Sequence, residues 1–262
     1  MSHFAVAVIC NHPDDIIGLM APYQENNMGD CPQEYLEFIQ PSETEEDWKT
    51  NGEYATFENY LEDYCGYKKD EETGKYGYYD NPNSKWDWFE LGGRWMGSLL
   101  IKEDEFVKDE AGQGRPGVYG NSIPNTPNKH IWVDICKVNL IQWDKMKEIA
   151  KYELLKNEPE DGDIWEIVTS DDHPKRRNYT WFKPEYFVEK YKNKDNYIES
   201  QINFSTYAVI TPDGKWNAPG DMGWFGCSTE NNEDDAKFQN EFFANFIEPY
   251  QDKFIAILDC HT

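Results

Sequence analysis

Two short apolar runs stand near the ends of this chain, His3–Cys10 (HFAVAVIC) and Phe254–Leu258 (FIAIL), and what lies between is largely acidic and aromatic. Runs this rich in β-branched and aromatic residues read as strands. Terminal segments are ordered chiefly when something pairs with them, so the two runs are expected in one sheet. No stretch approaches the roughly 18 apolar residues of a membrane span. No basic segment precedes the first run, so neither a signal peptide nor a transmembrane helix is expected.

Composition narrows the classes further. At 262 residues the chain can bury a sizeable core without a disulfide or a metal, and no cofactor is expected. Only 39% of residues are hydrophobic, but ten Trp, 17 Tyr and 14 Phe supply large apolar areas, which argues against disorder. Acidic residues number 50 against 25 basic ones, a formal net charge of −25. Such a field repels nucleic-acid backbones and anionic lipid, so neither direct nucleic-acid binding nor membrane binding is expected. It leaves room for a small anionic ligand caught by a local Arg, for a basic host protein as partner, and for homo-oligomers. Cys10, Cys31, Cys65, Cys136, Cys227 and Cys260 form no C-x-x-C pair, a spacing that fits reduced thiols in a cytoplasm.

Along the chain, Thr56 caps a helical pattern of Phe57, Tyr60, Leu61 and Tyr64. An aromatic strand beginning at Lys85, a Gly-Gly break and a second strand (Trp95–Ile101) follow, then a Gly/Pro/Asn loop over 103–129. His130–Ile141 reads as a strand, Asp144 as the cap of the next helix, and Ile164–Thr169 as a short strand. Pro184 suits the first turn of a helix burying Phe187, Val188 and Tyr191. Phe204–Thr211 reads as a strand, with Pro212-Asp213-Gly214 turning into a return strand at Lys215-Trp216. A helix from about Asn232 places Phe238, Phe242 and Phe246 four apart. Strands and helices do not alternate regularly, so the expected class is α+β with an antiparallel or mixed sheet. The likeness of HFAVAVI to STYAVIT adds the finer expectation of one compact unit, 1–262, built as a pseudo-duplicate of about 1–155 and 156–262.

The most specific local pattern is Asn81–Trp95 (NPNSKWDWFELGGRW). Gly92 and Gly93 allow a positive φ and close approach, Arg94 supplies a fork for phosphate, and Trp88 and Trp95, with Trp86, offer stacking faces. The bland alternative is a structural turn with core tryptophans. A second aromatic–glycine cluster, Gly220–Gly226 around Trp224, would be an opposite wall or a tight hairpin. If the terminal strands are neighbours, His3, Asp259 and His261 meet at a sheet end, where they could move protons or bind a metal. Cys260 would be a nucleophile only if a neighbouring His lowered its pKa. His12-Pro13-Asp14-Asp15 is similar to the metal-binding string of a deacetylase class, without the rest of that pattern, and Lys175-Arg176-Arg177 reads as a solvated loop.

Taken together, Met1–Phe4 with its strand, Leu19–Asn26 (LMAPYQEN), Tyr76–Trp95, the Gly-Trp cluster and the ending Asp259-Cys260-His261 resemble a family of small acidic proteins of tailed bacteriophages with no assigned function. Phe225 and Ala5 depart from that pattern, where Trp and Thr are expected. The resemblance implies an accessory protein of the host bacterial cytoplasm. The residues then suggest a counter-defence protein that binds a small phosphorylated (cyclic) nucleotide immune signal, at Arg94, Gly92, Gly93, Trp88, Trp95 and Trp224. It either sequesters the signal or, as a nucleotide phosphodiesterase, hydrolyses it with His3, His261 and Asp259. The alternative is an acidic mimic of DNA charge that inhibits a host defence or nucleic-acid-binding protein.

Overall fold

The computed structural model describes residues 3–40, 42–43, 45–71, 73–102, 119–121, 130–156, 163–221, 229 and 231–262. The strands are β1 (His3–Cys10), β2 (Glu37–Ile39), β3 (Lys68–Lys69), β4 (Tyr76–Asp80), β5 (Trp88–Leu91) and β6 (Leu99–Lys102). They continue with β7 (Tyr119–Asn121), β8 (His130–Lys137), β9 (Ala208–Ile210), β10 (Trp216–Asn217) and β11 (Phe254–His261). The helices are α1 (Ile16–Met20), α2 (Glu45–Asn51), α3 (Phe57–Asn59), α4 (Trp143–Lys156) and α5 (Ile164–Thr169). After them come α6 (Arg176–Tyr179), α7 (Pro184–Tyr191), α8 (Lys194–Ile202) and α9 (Asn232–Phe242). The protein is α+β, and none of the described helices is long and apolar enough to cross a membrane. Contacts divide the chain into a larger unit, Met1–Leu19 with Trp88–Thr262, and a smaller one, Met20–Asp87.

In the larger unit, one mixed sheet runs β10-β9-β1-β11-β8-β6, with β5 also on β11 and β7 also on β8. The two terminal strands are antiparallel partners over their whole length, from His3↔His261 to Cys10↔Phe254, as the apolar ends of the chain require. The β1 and β9 runs lie side by side and parallel, and β9 turns back into β10 as a hairpin. Both centre strands are nearly continuous apolar runs because both of their faces are buried. One face packs Ala7, Ile9, Ile255 and Ile257 in a cluster with Phe242, Phe246 and Ile247, presented by α9 and the π-turn that extends it. Asn231 caps α9 by accepting from the N–H groups of Glu233 and Asp234. A separate cluster of Ile164, Val168, Phe187 and Tyr197 joins α5, α7 and α8.

The smaller unit carries the antiparallel sheet β2-β4-β3. Its organising side chain is Asn81, only 1% exposed. Its amide donates to the carbonyls of Pro22 and Gln24, both at 2.9 Å, and its side-chain oxygen accepts from Asn83 N–H. Trp86 is buried and donates to the Met20 carbonyl at 3.1 Å. The first half of the Asn81–Trp95 pattern is thus structural, and the boundary between units falls inside it.

Several elements differ from the sequence expectation. Ile164–Thr169 is a helix rather than a strand: Asp163 caps it, and Ile164, Ile167 and Val168 bury at helical spacing. Asp144 lies inside the first turn of α4 instead of capping it. The strand expected over Trp95–Ile101 begins only at Leu99, because Gly93–Trp95 is a 3-10 turn. The strand expected from Phe204 begins at Ala208, and that from Lys85 at Trp88. In α7 Phe187 is buried as expected, but Val188 is 48% exposed. Within the loop expected over 103–129, Tyr119–Asn121 pairs with β8.

Phe242 is fully buried and touches Phe204, Phe238 and Phe246. Phe242→Ala is expected to cost about 3–5 kcal/mol, measured by urea unfolding, since helix α9 cannot collapse into the space without losing its sheet contacts.

Candidate functional site

The site begins where two strands part. β11 pairs with β8 only at its start (Phe254–Ala256) and with β5 over Leu258–His261. β8 in turn pairs with β6 over His130–Val133. The connection from β5 to β6, Gly92–Ser98, therefore belongs to the fork between β11 and β8. Gly92 (φ +74°), Gly93 (φ +50°) and Gly97 (φ +70°) supply the left-handed backbone that this path needs.

Two buried carboxylates hold the turn. Asp259 accepts from Arg94 N–H at 2.9 Å through one oxygen, and Asp134 of β8 accepts from Gly97 N–H. A Cβ at Gly93 would stand 2.4 Å from Asp259 Cβ, and one at Gly92 2.7 Å from the Asp134 carboxyl. The diglycine thus makes room for the protein's own carboxylates. Burial pushes the Asp134 carboxyl above its usual range, opposed by the hydrogen bond from Gly97.

The other oxygen of Asp259 accepts from His3 Nδ1 at 2.8 Å. A carboxylate can only accept, so that nitrogen carries a proton, and in the neutral imidazole the lone pair lies on Nε2. Registers place His3, His261 and Trp88 in one row across the sheet, and Ala5, Asp259 and Glu90 in the next, all on one face. The His3 and His261 ring centroids are 5.0 Å apart, and Trp88 stacks on His261 at 5.3 Å with an interplanar angle of 14°. His261 is buried, His3 is 14% exposed at its side chain, and Trp88 is 41% exposed. The cluster offers one oriented imidazole, a second beside it, and an aromatic face open to solvent.

His3, Asp259, His261 and Trp88, expected on separate grounds, are therefore brought together. Arg94 joins them through its backbone, while its side chain is exposed. Trp95 packs against the apolar cluster as a partly buried ring. Trp224, with the rest of Met222–Gly226, lies outside the described residues. Cys260 is the neighbour of Asp259 but alternates to the opposite face, fully buried, and its thiol is pushed upward by burial first and by the Asp259 charge second. That excludes the activated thiolate. Among the described residues no group of three or more His, Cys, Asp or Glu side chains is placed to hold a metal ion. His12-Pro13-Asp14-Asp15 is a local cap: His12 Nδ1 accepts from Asp14 N–H, and Asp15 accepts from His12 N–H. Arg176, expected in a solvated loop, is instead buried and donates to the Phe182 carbonyl. Asp134 was not expected, although one acid inside the apolar run HIWVDIC was its visible signal.

No protein-family model, curated protein or solved structure matches this chain.

Two predictions follow from the fork. Gly93→Ala is expected to lose about 2–4 kcal/mol in urea unfolding, because it adds a positive-φ penalty to an overlap with Asp259. Asp134→Asn keeps the oxygen that accepts from Gly97 and removes the titration. A raised folded pKa means that the folded state holds the extra proton, so wild-type stability falls as pH rises from the ordinary carboxylate range (about 4) through the raised value. The stability difference between variant and wild type should move in the variant's favour across that rise; a difference flat with pH would show that Asp134 is not perturbed.

Proposed function

We propose that this chain is a bacteriophage counter-defence protein of the host cytoplasm that binds a small phosphorylated nucleotide and hydrolyses a phosphodiester bond in it. The observation that carries the chemistry is the His3–Asp259 hydrogen bond with His261 beside it. Asp259 orients His3 so that its Nε2 takes the proton of an attacking water. His261 gives a proton to the leaving oxygen as the P–O bond breaks. Trp88, stacked on His261 and part exposed, offers a face to the base. Arg94, whose backbone N–H meets Asp259 and whose side chain is exposed, offers two parallel N–H donors to the phosphate. The phage setting rests on the sequence resemblance alone.

A formal net charge of −25 favours a second reading, an acidic protein that mimics DNA charge and occupies a basic host protein. The two part on cheap measurements. A rise in melting temperature with a cyclic dinucleotide supports the first, and a salt-sensitive complex with a basic protein and no nucleotide response supports the second.

With a cyclic dinucleotide as substrate and chromatography of the products, His3→Ala and His261→Ala are each expected to lower kcat by about 10²–10⁴. Arg94→Ala should weaken binding without lowering the melting temperature, and Arg94→Lys should recover part of it, since the charge returns without the paired donors. Full turnover in both histidine variants would sink the hydrolytic reading, and an unfolded Arg94→Ala protein would sink the role given to Arg94.

A further inference from the structure

The larger unit contains an open cleft of about 470 Å³ that the histidine cluster does not use. Its walls include Trp132 of β8, Trp143, Met146 and Ile149 of α4, Phe204 after α8, and Phe243 after α9. The volume falls in the range of small-molecule sites, and the lining is of the kind such sites have. Two rings fix the position of Trp143: Phe204 at 5.2 Å and Phe243, edge-on, at 5.1 Å. Yet the Trp143 indole N–H is buried and has no hydrogen-bond partner among the described residues. A buried tryptophan ordinarily finds an acceptor for that group, and an unpaired donor away from water is costly. Gln201 and Asn203 also line the cleft, but their amides donate to Ser200 and Glu199 and neither pairs with that N–H.

The rim decides the charge of the occupant. Lys147 is a cation at the cleft, but its ammonium already pairs with Glu199 at 2.7 Å. Asp144, also on the lining, is exposed and acidic. Nothing here attracts a phosphate, and the aromatic walls favour a flat ring that they can stack on or meet edge-on.

We propose that this cleft binds a neutral, planar heteroaromatic ring that presents a hydrogen-bond acceptor at its edge to the Trp143 indole N–H. The site is separate from His3, Asp259 and His261 in its residues, and it stands whether or not those residues hydrolyse a nucleotide.

Purine and indole make a matched pair of probes: both are flat bicyclic rings, but only purine has acceptor nitrogens at its edge. In calorimetric titration of the full chain, purine should bind saturably and about tenfold more tightly than indole, the worth of one hydrogen bond. Trp143→Phe should bring purine down to the level of indole while leaving the melting temperature equal or higher, because the variant also removes an unpaired buried donor. A tryptophan that serves packing alone would give the opposite signs. Ala150→Trp, which fills the cleft from α4, should abolish binding of both probes at this site. The proposal is overturned by absence of saturable purine binding into the millimolar range, or by equal affinity for the two probes. A Trp143→Phe protein that melts lower and binds purine as before also overturns it. So does purine binding that Trp88→Ala removes and Ala150→Trp spares, which would move the ring to the histidine cluster.

Discussion

One carboxylate, that of Asp259, ties together the first strand, the last strand and the diglycine turn of the larger unit. Its two oxygens serve different elements: one accepts from His3 on the neighbouring strand, the other from the backbone of Arg94 in the turn that fills the fork. Burying a charge without partners is prohibitive, so its position is dictated by those donors as much as theirs by it. The same carboxylate forbids a side chain at Gly93. The turn, the histidine and the fork are therefore one arrangement, and Asp134 repeats the device on the strand across the gap.

The fork also explains how a sheet with a continuous apolar centre can end in polar residues. Along β11 the inward face runs Ile255, Ile257, Asp259, His261, and β1 answers with Ile9, Ala7, Ala5, His3. The first two positions of each strand lie under Phe242 and Phe246 of the helical layer. The last two lie where β8 has diverged and β5 takes its place, with the turn's backbone against Asp259 and the Trp88 ring against His261 and His3. Asp259 is tolerated there because the Arg94 N–H and His3 Nδ1 are at hand to satisfy it.

Acidity and aromaticity divide the labour elsewhere. With acids outnumbering bases two to one, the surface cannot supply much cohesion through ion pairs, and those that are exposed contribute little. Cohesion comes from rings. Phe238, Phe242 and Phe246 contact one another along α9 and the π-turn, and Phe187, Tyr191 and Tyr197 do the same around α7 and α8. Large, stiff side chains fill space with few residues but leave gaps where their shapes do not match, and the cleft beside Trp143 lies among such rings.

How much of this was legible in the chain depends on the range of the cause. The composition of HFAVAVIC and FIAILDCH dictates buried central strands, and their position at the two ends dictates that they pair, so the meeting of His3, Asp259 and His261 could be read from sequence. The caps at Thr56 and Asn231 and the four-residue spacing of Phe238, Phe242 and Phe246 are equally local. Local pattern misleads where a short apolar run fits two periods, as at Ile164–Thr169, where a single cap by Asp163 and burial against α7 select the helix. It is silent on what meets across the fold. Gly92 and Gly93 announce a close approach but not to what; only the divergence of β11 from β8 shows that Asp134 and Asp259 occupy that space. Sequence sets which residues are glycine, aromatic or acidic, and hence what each can tolerate. Tertiary structure alone decides which of them share a fork, because strand registers are fixed by the whole sheet and by no single segment.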